Sequence, residues 1–249
     1  MSPTEIAAEI DSPRMLLMDT HLYKLQRLDI AYAPIDHVNA SADIVIVGIT
    51  PGKQQMREAI DEARRAIRLG LSDAEVLARV KIHASFAGSM RVNLVRLMDA
   101  VGLNRLLAIT STASLWGTDN NRAHFTSALR YPTFVDGGNY SRSPDINSVP
   151  FLSDRSVQWL KEELSLLTNP VIVPMGDMVS EVLTRLGREM AISNDRILAG
   201  MPHASGANNG RISRFLGAAT EDDEWRRRFM GIAAKVRSLE CQLRSSVPS

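Results

Sequence analysis

The stretch Asp43–Gln55, DIVIVGITPGKQQ, decides how this chain is read. Its first half, DIVIVG, is a short, β-branched apolar run of the length of a buried strand. The run breaks at Pro51-Gly52, where proline fixes φ and glycine lets the backbone approach a neighbour. Polar, helix-forming residues follow. The turn is not a nucleotide triphosphatase P-loop: three residues separate Gly48 from Gly52 where four are needed, and Gln54 stands where a magnesium-binding hydroxyl is required.

Three further runs are read as strands: LLAITSTAS (106–114), PVIVPMG (170–176) and the weaker RILAGM (196–201). Helical periodicity fills the intervals. MLLMDTHLYKLQRL (15–28) is amphipathic, and residues 54–69 repeat alanine and isoleucine among charges. Ser72 with Glu75 forms a capping box that opens a second short helix. RVNLVRLMDAVG (91–102) places Val92, Leu94, Val95, Leu97 and Met98 mostly on one face and stops at Gly102. Ser153 can cap SDRSVQWLKEELSLL, MVSEVLTRLG (178–187) ends on glycine, and Thr220 begins a long terminal helix. Strands alternating with helices imply right-handed crossovers and a mainly parallel sheet covered on both faces. Ligands then sit at the carboxyl ends of the strands, which selects the loops 48–55, 111–124, 175–178 and 201–212.

Composition sets the outer limits. At 249 residues, 45% hydrophobic and 23% charged, the chain is expected to fold as one domain, with a helical insertion at about 54–83 and a terminal helix at about 220–245. No apolar run is long enough to span a bilayer, and the first residues lack a signal pattern, so a cytoplasmic protein without a membrane or obligate protein partner is expected. The lone Cys241 excludes an intrachain disulfide and a cysteine-based zinc site. The net charge of +1 does not announce a nucleic-acid binder. Residues 211–237 nevertheless carry Arg211, Arg214, Arg226, Arg227, Arg228, Lys235 and Arg237, which reads either as a phosphate-facing surface or as a solvated helix face beside Glu221, Asp222, Asp223 and Glu224.

Taken together, the loops resemble the uracil-DNA glycosylase superfamily. Gly48-Ile49-Thr50-Pro51-Gly52 is similar to that family's first motif, Gly-x-(Asp/Asn/Ala)-Pro-(Tyr/Gly). Phe86 in SFAGSMRVNLVRLM resembles the phenylalanine that stacks on the extruded base. IVPMGDMVSEVL is similar to the third strand and its Gly-led helix, and His203-Ala204-Ser205-Gly206-Ala207-Asn208 to the second motif, His-Pro-Ser-x-x-x. The resemblance runs from about Asp43 to Phe215 in the family's order. It implies an α/β/α sandwich around a four-stranded, mainly parallel sheet, and a base-flipping hydrolase that needs no cofactor and no metal.

On that resemblance His203 donates to the anionic base oxygen, and backbone near Ile49 and Thr50 contacts base or water. Phe86 supplies a π-face. Ser205, Asn208, Asn209 and Arg211 form a DNA-facing loop. Three departures shape the expected chemistry. Thr50 replaces the acid or amide that activates water, so Asp119 and, less favoured, Glu58 are the substitute carboxylates. The second-strand asparagine is absent, leaving Ser111 and Thr112, with Asn120 and Asn121 beyond. Gly52 replaces the tyrosine that excludes C5 substituents, which implies a roomier pocket and a modified pyrimidine. Ala207 stands where an apolar wedge is usual, leaving Arg211 or Ile212 to fill the gap in the duplex. The arginines of the insertion (Arg57, Arg64, Arg65, Arg68, Arg79) face either DNA or solvent. The expected activity is a monofunctional DNA glycosylase; the alternative is a catalytically silent DNA-binding module.

Overall fold

A computed structural model describes residues 21–218 and 224–245 of the chain. Its elements are β1 (His21–Leu25), β2 (Leu28–Ala31), β3 (Ile44–Gly48), α1 (Lys53–Arg68), α2 (Asp73–Ala84), α3 (Ser89–Val101) and β4 (Ala123–Ser127). They continue with β5 (Thr133–Val135), β6 (Gly138–Asn139), α4 (Val157–Ser165), β7 (Val171–Pro174), α5 (Asp177–Glu189) and α6 (Glu224–Ser245), separated by short helical turns. The class is mixed α/β. One three-stranded parallel sheet has the order β4-β3-β7, and one four-stranded antiparallel sheet has the order β1-β2-β5-β6. The chain divides into two compact units and passes between them after Val38, Gly48, Ala87, His124 and Leu166.

The unit holding residues 39–48, 88–124 and 167 onward is built on β3, whose five residues are all buried. β3 pairs in parallel with β7, Ile44 opposite Val171 through Val47 opposite Pro174. Asp43 N–H donates to the Arg122 carbonyl at 2.9 Å, tying the amino end of β3 to that of β4. α3 buries Leu94, Leu97, Met98 and Val101 at helical spacing and ends where Gly102 takes φ 92. Val92 stays 62% exposed, so the apolar stripe is narrower than its sequence predicts.

The other unit holds the antiparallel sheet and the α1–α2 pair. Met56, Ala59, Ile60, Ala63 and Ala66 of α1 pack with Val76, Val80 and Ala84 of α2 against Ala31, Ala33, Ile35 and Phe134. The expected capping box is present: Ser72 Oγ accepts from Glu75 N–H, and Glu75 accepts from Ser72 N–H at 2.9 Å. Three arginines of this pair meet acids within it, Arg79 and Arg65 the buried Glu62 and Arg64 Asp61.

Several expected elements are corrected. The helix expected over 15–28 is a hairpin from His21 onward, because β2 is claimed by β5 and Gln26 turns the chain at φ 52; residues 15–20 lie outside the described part. The strand expected at 106–114 is absent, and the strand beside β3 is Ala123–Ser127 instead. The cause is Asp99 of α3, whose carboxylate accepts from Ser111 Oγ at 2.6 Å, Thr112 N–H at 2.8 Å and Thr112 Oγ1 at 2.7 Å. A local acceptor takes the donors a ladder would use, and the chain winds into a turn over Thr112–Trp116. The fourth strand, expected over 196–201, is a single parallel bridge from Ile197 to Ile172. A helical turn at Asn194–Arg196 precedes it and Gly200, at φ 109, bends the chain away. Ser153 lies within a helical turn and donates to Pro150 O rather than capping, while Gly187 is buried inside α5 against Ile197. Thr220 lies outside the described residues.

Candidate functional site

In the unit built on β3, His203 of the second motif lies against the turn that follows β7. Gly176 takes φ 89, and its N–H donates to the Met201 carbonyl at 3.0 Å. A Cβ on Gly176 would stand 3.4 Å from His203 Cβ, so the bare backbone lets the imidazole's stem lie against the turn. His203 is half-buried, and burial pushes its pKa below the ordinary histidine value. The ring is therefore neutral near pH 7. Ser205 N–H donates to Nδ1 at 3.3 Å, which leaves the ring proton on Nε2. His203 is thus a neutral imidazole with its N–H aimed by the chain that follows it.

Asn93 of α3 holds that following chain. It is 9% exposed, and its Nδ2 donates to Ala204 O at 3.0 Å and Asn209 Oδ1 at 3.3 Å. Asn208 Nδ2 donates to Ser205 Oγ at 2.8 Å, and Asn208 N–H to Ser205 O at 2.9 Å. Gly206, Ala207, Asn209, Gly210 and Arg211 are exposed, and nothing stands within 4 Å of a Cβ added at Gly206 or Gly210. Arg211 lies 5.9 Å above the Trp225 ring, which Arg228 also covers at 4.6 Å. Ile212 is 2% exposed and belongs to the core, so it does not serve as a duplex wedge. Gly48, also buried, ends β3 in this unit.

The other unit holds the rest of the first motif. Ile49 O accepts from Leu129 N–H at 2.8 Å, and Pro51 is buried. Thr50 Oγ1 donates to Tyr131 O at 2.9 Å and accepts from Thr133 N–H at 3.1 Å. Its proton is therefore committed to the fold. Beside Gly52 the room is taken: a Cβ there would meet Asn139 Nδ2 at 3.2 Å. Asn139 Oδ1 accepts from Lys53 N–H at 2.9 Å. Phe86 is 5% exposed, meets Phe125 edge-on at 6.2 Å, and has φ 53. An aromatic residue at positive φ is strained by about 1–3 kcal/mol, a cost typically kept at functional positions. Among the described residues it is the only aromatic one so placed.

Ser111 and Asp119 do not lie at the carboxyl end of any parallel strand. Both precede β4, and the segment ends where Arg122 pairs with Asp43, at 2.6 Å, beside the amino end of β3. Ser111 Oγ is a cap, donating to Asp99 and accepting from Ala113 N–H at 3.2 Å. Asp119 sits in a turn, its N–H on Ser114 O at 2.9 Å, and Asn120 Nδ2 donates to Gly117 O at 2.7 Å. Glu58 faces His83 at 3.3 Å. The carboxyl end of β4 carries Ser127 instead. Asn93, Asn139 and Ser127 escaped the sequence reading: Asn93 looked like part of an apolar helix, Ser127 ends a strand expected elsewhere, and Asn139 lies in a Gly/Ser/Asn-rich stretch, 135–148, read as a loop. Asn93 left a signal, an amide set among Leu94, Leu97 and Met98 on a buried face.

Among the described residues no group of three or more His, Cys, Asp or Glu side chains is placed to hold a metal ion, and no helix is long and apolar enough to cross a membrane. No protein-family model matches the chain. It is 36% identical over 197 residues to the uncharacterized protein YoxB of Bacillus subtilis (strain 168), covering 78% of this chain and 77% of that one. At that identity and coverage the chain belongs to the same family as YoxB.

Proposed function

We propose that this protein is a divergent member of the uracil-DNA glycosylase superfamily that hydrolyses the N-glycosidic bond of a flipped, non-standard pyrimidine in DNA and leaves an abasic site. Uracil or, better, a modified pyrimidine is the target, in base-excision repair or in defence against phage with modified DNA. The observation that carries this reading is His203: neutral through burial, with Nδ1 accepting from Ser205 N–H and Nε2–H left as a fixed donor. Cleavage leaves a pyrimidine anion, and a preorganised neutral donor aimed at the developing charge is worth roughly 3–4 kcal/mol, or 10²–10³-fold in rate. The Ile197 bridge, following β7 in the order β4-β3-β7, supports the expected four-stranded sandwich.

In this reading Phe86 stacks on the base, and the turn from Gly48 to Gly52 holds base and water. Ser205, Asn208, Asn209 and Arg211 grip the DNA backbone, and Ser127 takes over the base-facing role expected of Ser111. A second reading, a silent module that recognises flipped bases, is favoured by Thr50, whose hydroxyl proton is committed to Tyr131 O. Duplexes carrying uracil, hypoxanthine, or 5-substituted uracils and cytosines, incubated with the protein and then treated with alkali, separate the two. Strand breaks at the modified position support the enzyme. Intact strands in every duplex, with DNA binding retained, support the silent module.

A further inference from the structure

Arg211 and Arg228 meet the same ring and are held differently. Arg228 commits the edge of its guanidinium to acids: Nη1 donates to Asp177, the first residue of α5, and Nη2 to Glu224, each at 2.5 Å. Its stem passes Gly200, where an added Cβ would stand 3.7 Å from Arg228 Cβ and Cγ. Held along its stem and at its head, Arg228 lies 4.6 Å from the centre of the half-buried Trp225 ring. Arg211 is exposed and lies 5.9 Å from that centre, and its guanidinium forms no ion pair or hydrogen bond among the described residues. A carboxylate takes the N–H edge of a guanidinium, whereas a ring takes its flat face and leaves the donors open. Arg211 is therefore braced and still free to bind.

We infer that Trp225 is a positioning residue for DNA binding: fixed by Arg228, it holds Arg211 with its N–H edge open to a backbone phosphate. This rests on the DNA-facing reading of the loop above, which the glycosylase and the silent module share. A loose arginine loses rotamer freedom when it grips a phosphate, and one already resting on a ring has lost much of it beforehand. Arg228 also ties the ring to the histidine's surroundings, through Gly200 before the loop and through Asp177, which follows the Gly176 turn against His203. The partner is the phosphodiester backbone of any sequence, because an arginine on a phosphate positions the protein without reading bases.

The test measures binding to an unmodified duplex, which carries no base to release, over a range of salt concentrations. Arg211→Ala should weaken binding and reduce the slope of log affinity against log salt by about 0.9. Trp225→Leu, which keeps an apolar side chain without a π-face, should weaken binding about threefold in the wild type and leave Arg211→Ala unchanged. A merely structural tryptophan would cost the same in both backgrounds. Trp225→Phe, which restores a ring, should recover much of the lost affinity. Fluorine NMR of the fluorotryptophan-labelled protein reads the contact without replacing Trp225: its resonance should shift when duplex is added to the wild type, and much less in Arg211→Ala. Equal losses from Trp225→Leu in both backgrounds, no loss in the wild type, or a resonance that ignores the duplex overturns the inference. Failure of the wild type to bind overturns it too. Base release from modified duplexes bears on the glycosylase reading alone: binding that responds to Trp225 without release keeps this inference and removes that one.

Discussion

His203 is prepared by its neighbours more than by its own chemistry. Gly176 gives its stem room, Ser205 fixes its tautomer, and Asn93 pins the chain beyond it. Gly176→Ala puts a methyl at positive φ and 3.4 Å from His203 Cβ, so a loss of at least about 1 kcal/mol is expected in denaturant unfolding, with activity falling further than stability. Asn93→Leu removes both bonds to the loop and leaves the Ala204 carbonyl without that donor. About 1–3 kcal/mol should be lost, and kcat should fall while KM for short duplexes changes little. Equal losses in kcat/KM and in stability with kcat unchanged would make Asn93 structural only. The pH dependence has a definite sign. Burial holds the folded pKa of His203 below the roughly 6.5 of the unfolded chain. As pH falls, the unfolded state takes up the proton first, so this contribution to stability is whole above about pH 6.5 and is lost as pH drops through the folded pKa. The acid limb of kcat/KM should likewise lie below about pH 6.5, and His203→Gln should flatten the acid-side loss of stability. An acid limb at or above that value contradicts the neutral-donor role.

At the scale of elements, the most legible parts were those whose signals are local. The capping box at Ser72 and Glu75 formed as written, and Ser72→Ala should cost about 1 kcal/mol by thermal or denaturant unfolding. A loss under about 0.3 kcal/mol would show that packing against α1, rather than the cap, fixes this end of α2. β3, β7 and the stop of α3 at Gly102 were equally plain, because a β-branched apolar run and a glycine at positive φ each have few alternatives. The second strand was not legible. LLAITSTAS reads as a strand until Asp99, twelve residues before Ser111, captures Ser111 and Thr112, and nothing in the local pattern reports that contact. AHFTS, the true strand, is short and carries a histidine buried at 1% exposure beside two hydroxyls. That displacement moved Ser111 and Asp119 away from the carboxyl ends of the parallel strands and hid Ser127. The turn from Gly48 to Gly52 follows β3 as expected, and His203 follows the Ile197 bridge where a strand was expected.

At the scale of the whole molecule, the unit with the antiparallel sheet encloses a charged network. Glu163, 2% exposed, accepts from Thr126 and lies 3.0 Å from Arg130 and 3.7 Å from Lys81, itself 4% exposed. Lys81 also donates to Ile35 O at 2.7 Å, and Tyr32 and Tyr131 both donate to Asp36. Removing one partner of a buried pair strands the other charge, so Glu163→Gln should destabilise by about 3–5 kcal/mol. A loss below about 1 kcal/mol would mean that water reaches the network. The central claim concerns base release, and mass spectrometry of the free base tests it most directly. Duplexes carrying uracil or 5-substituted uracils are incubated with the wild type and with His203→Ala. The expected result is an intact pyrimidine in solution and an unbroken strand with an abasic site, falling at least about 10²-fold in the variant. No free base from any duplex, or equal release by both proteins, would contradict it.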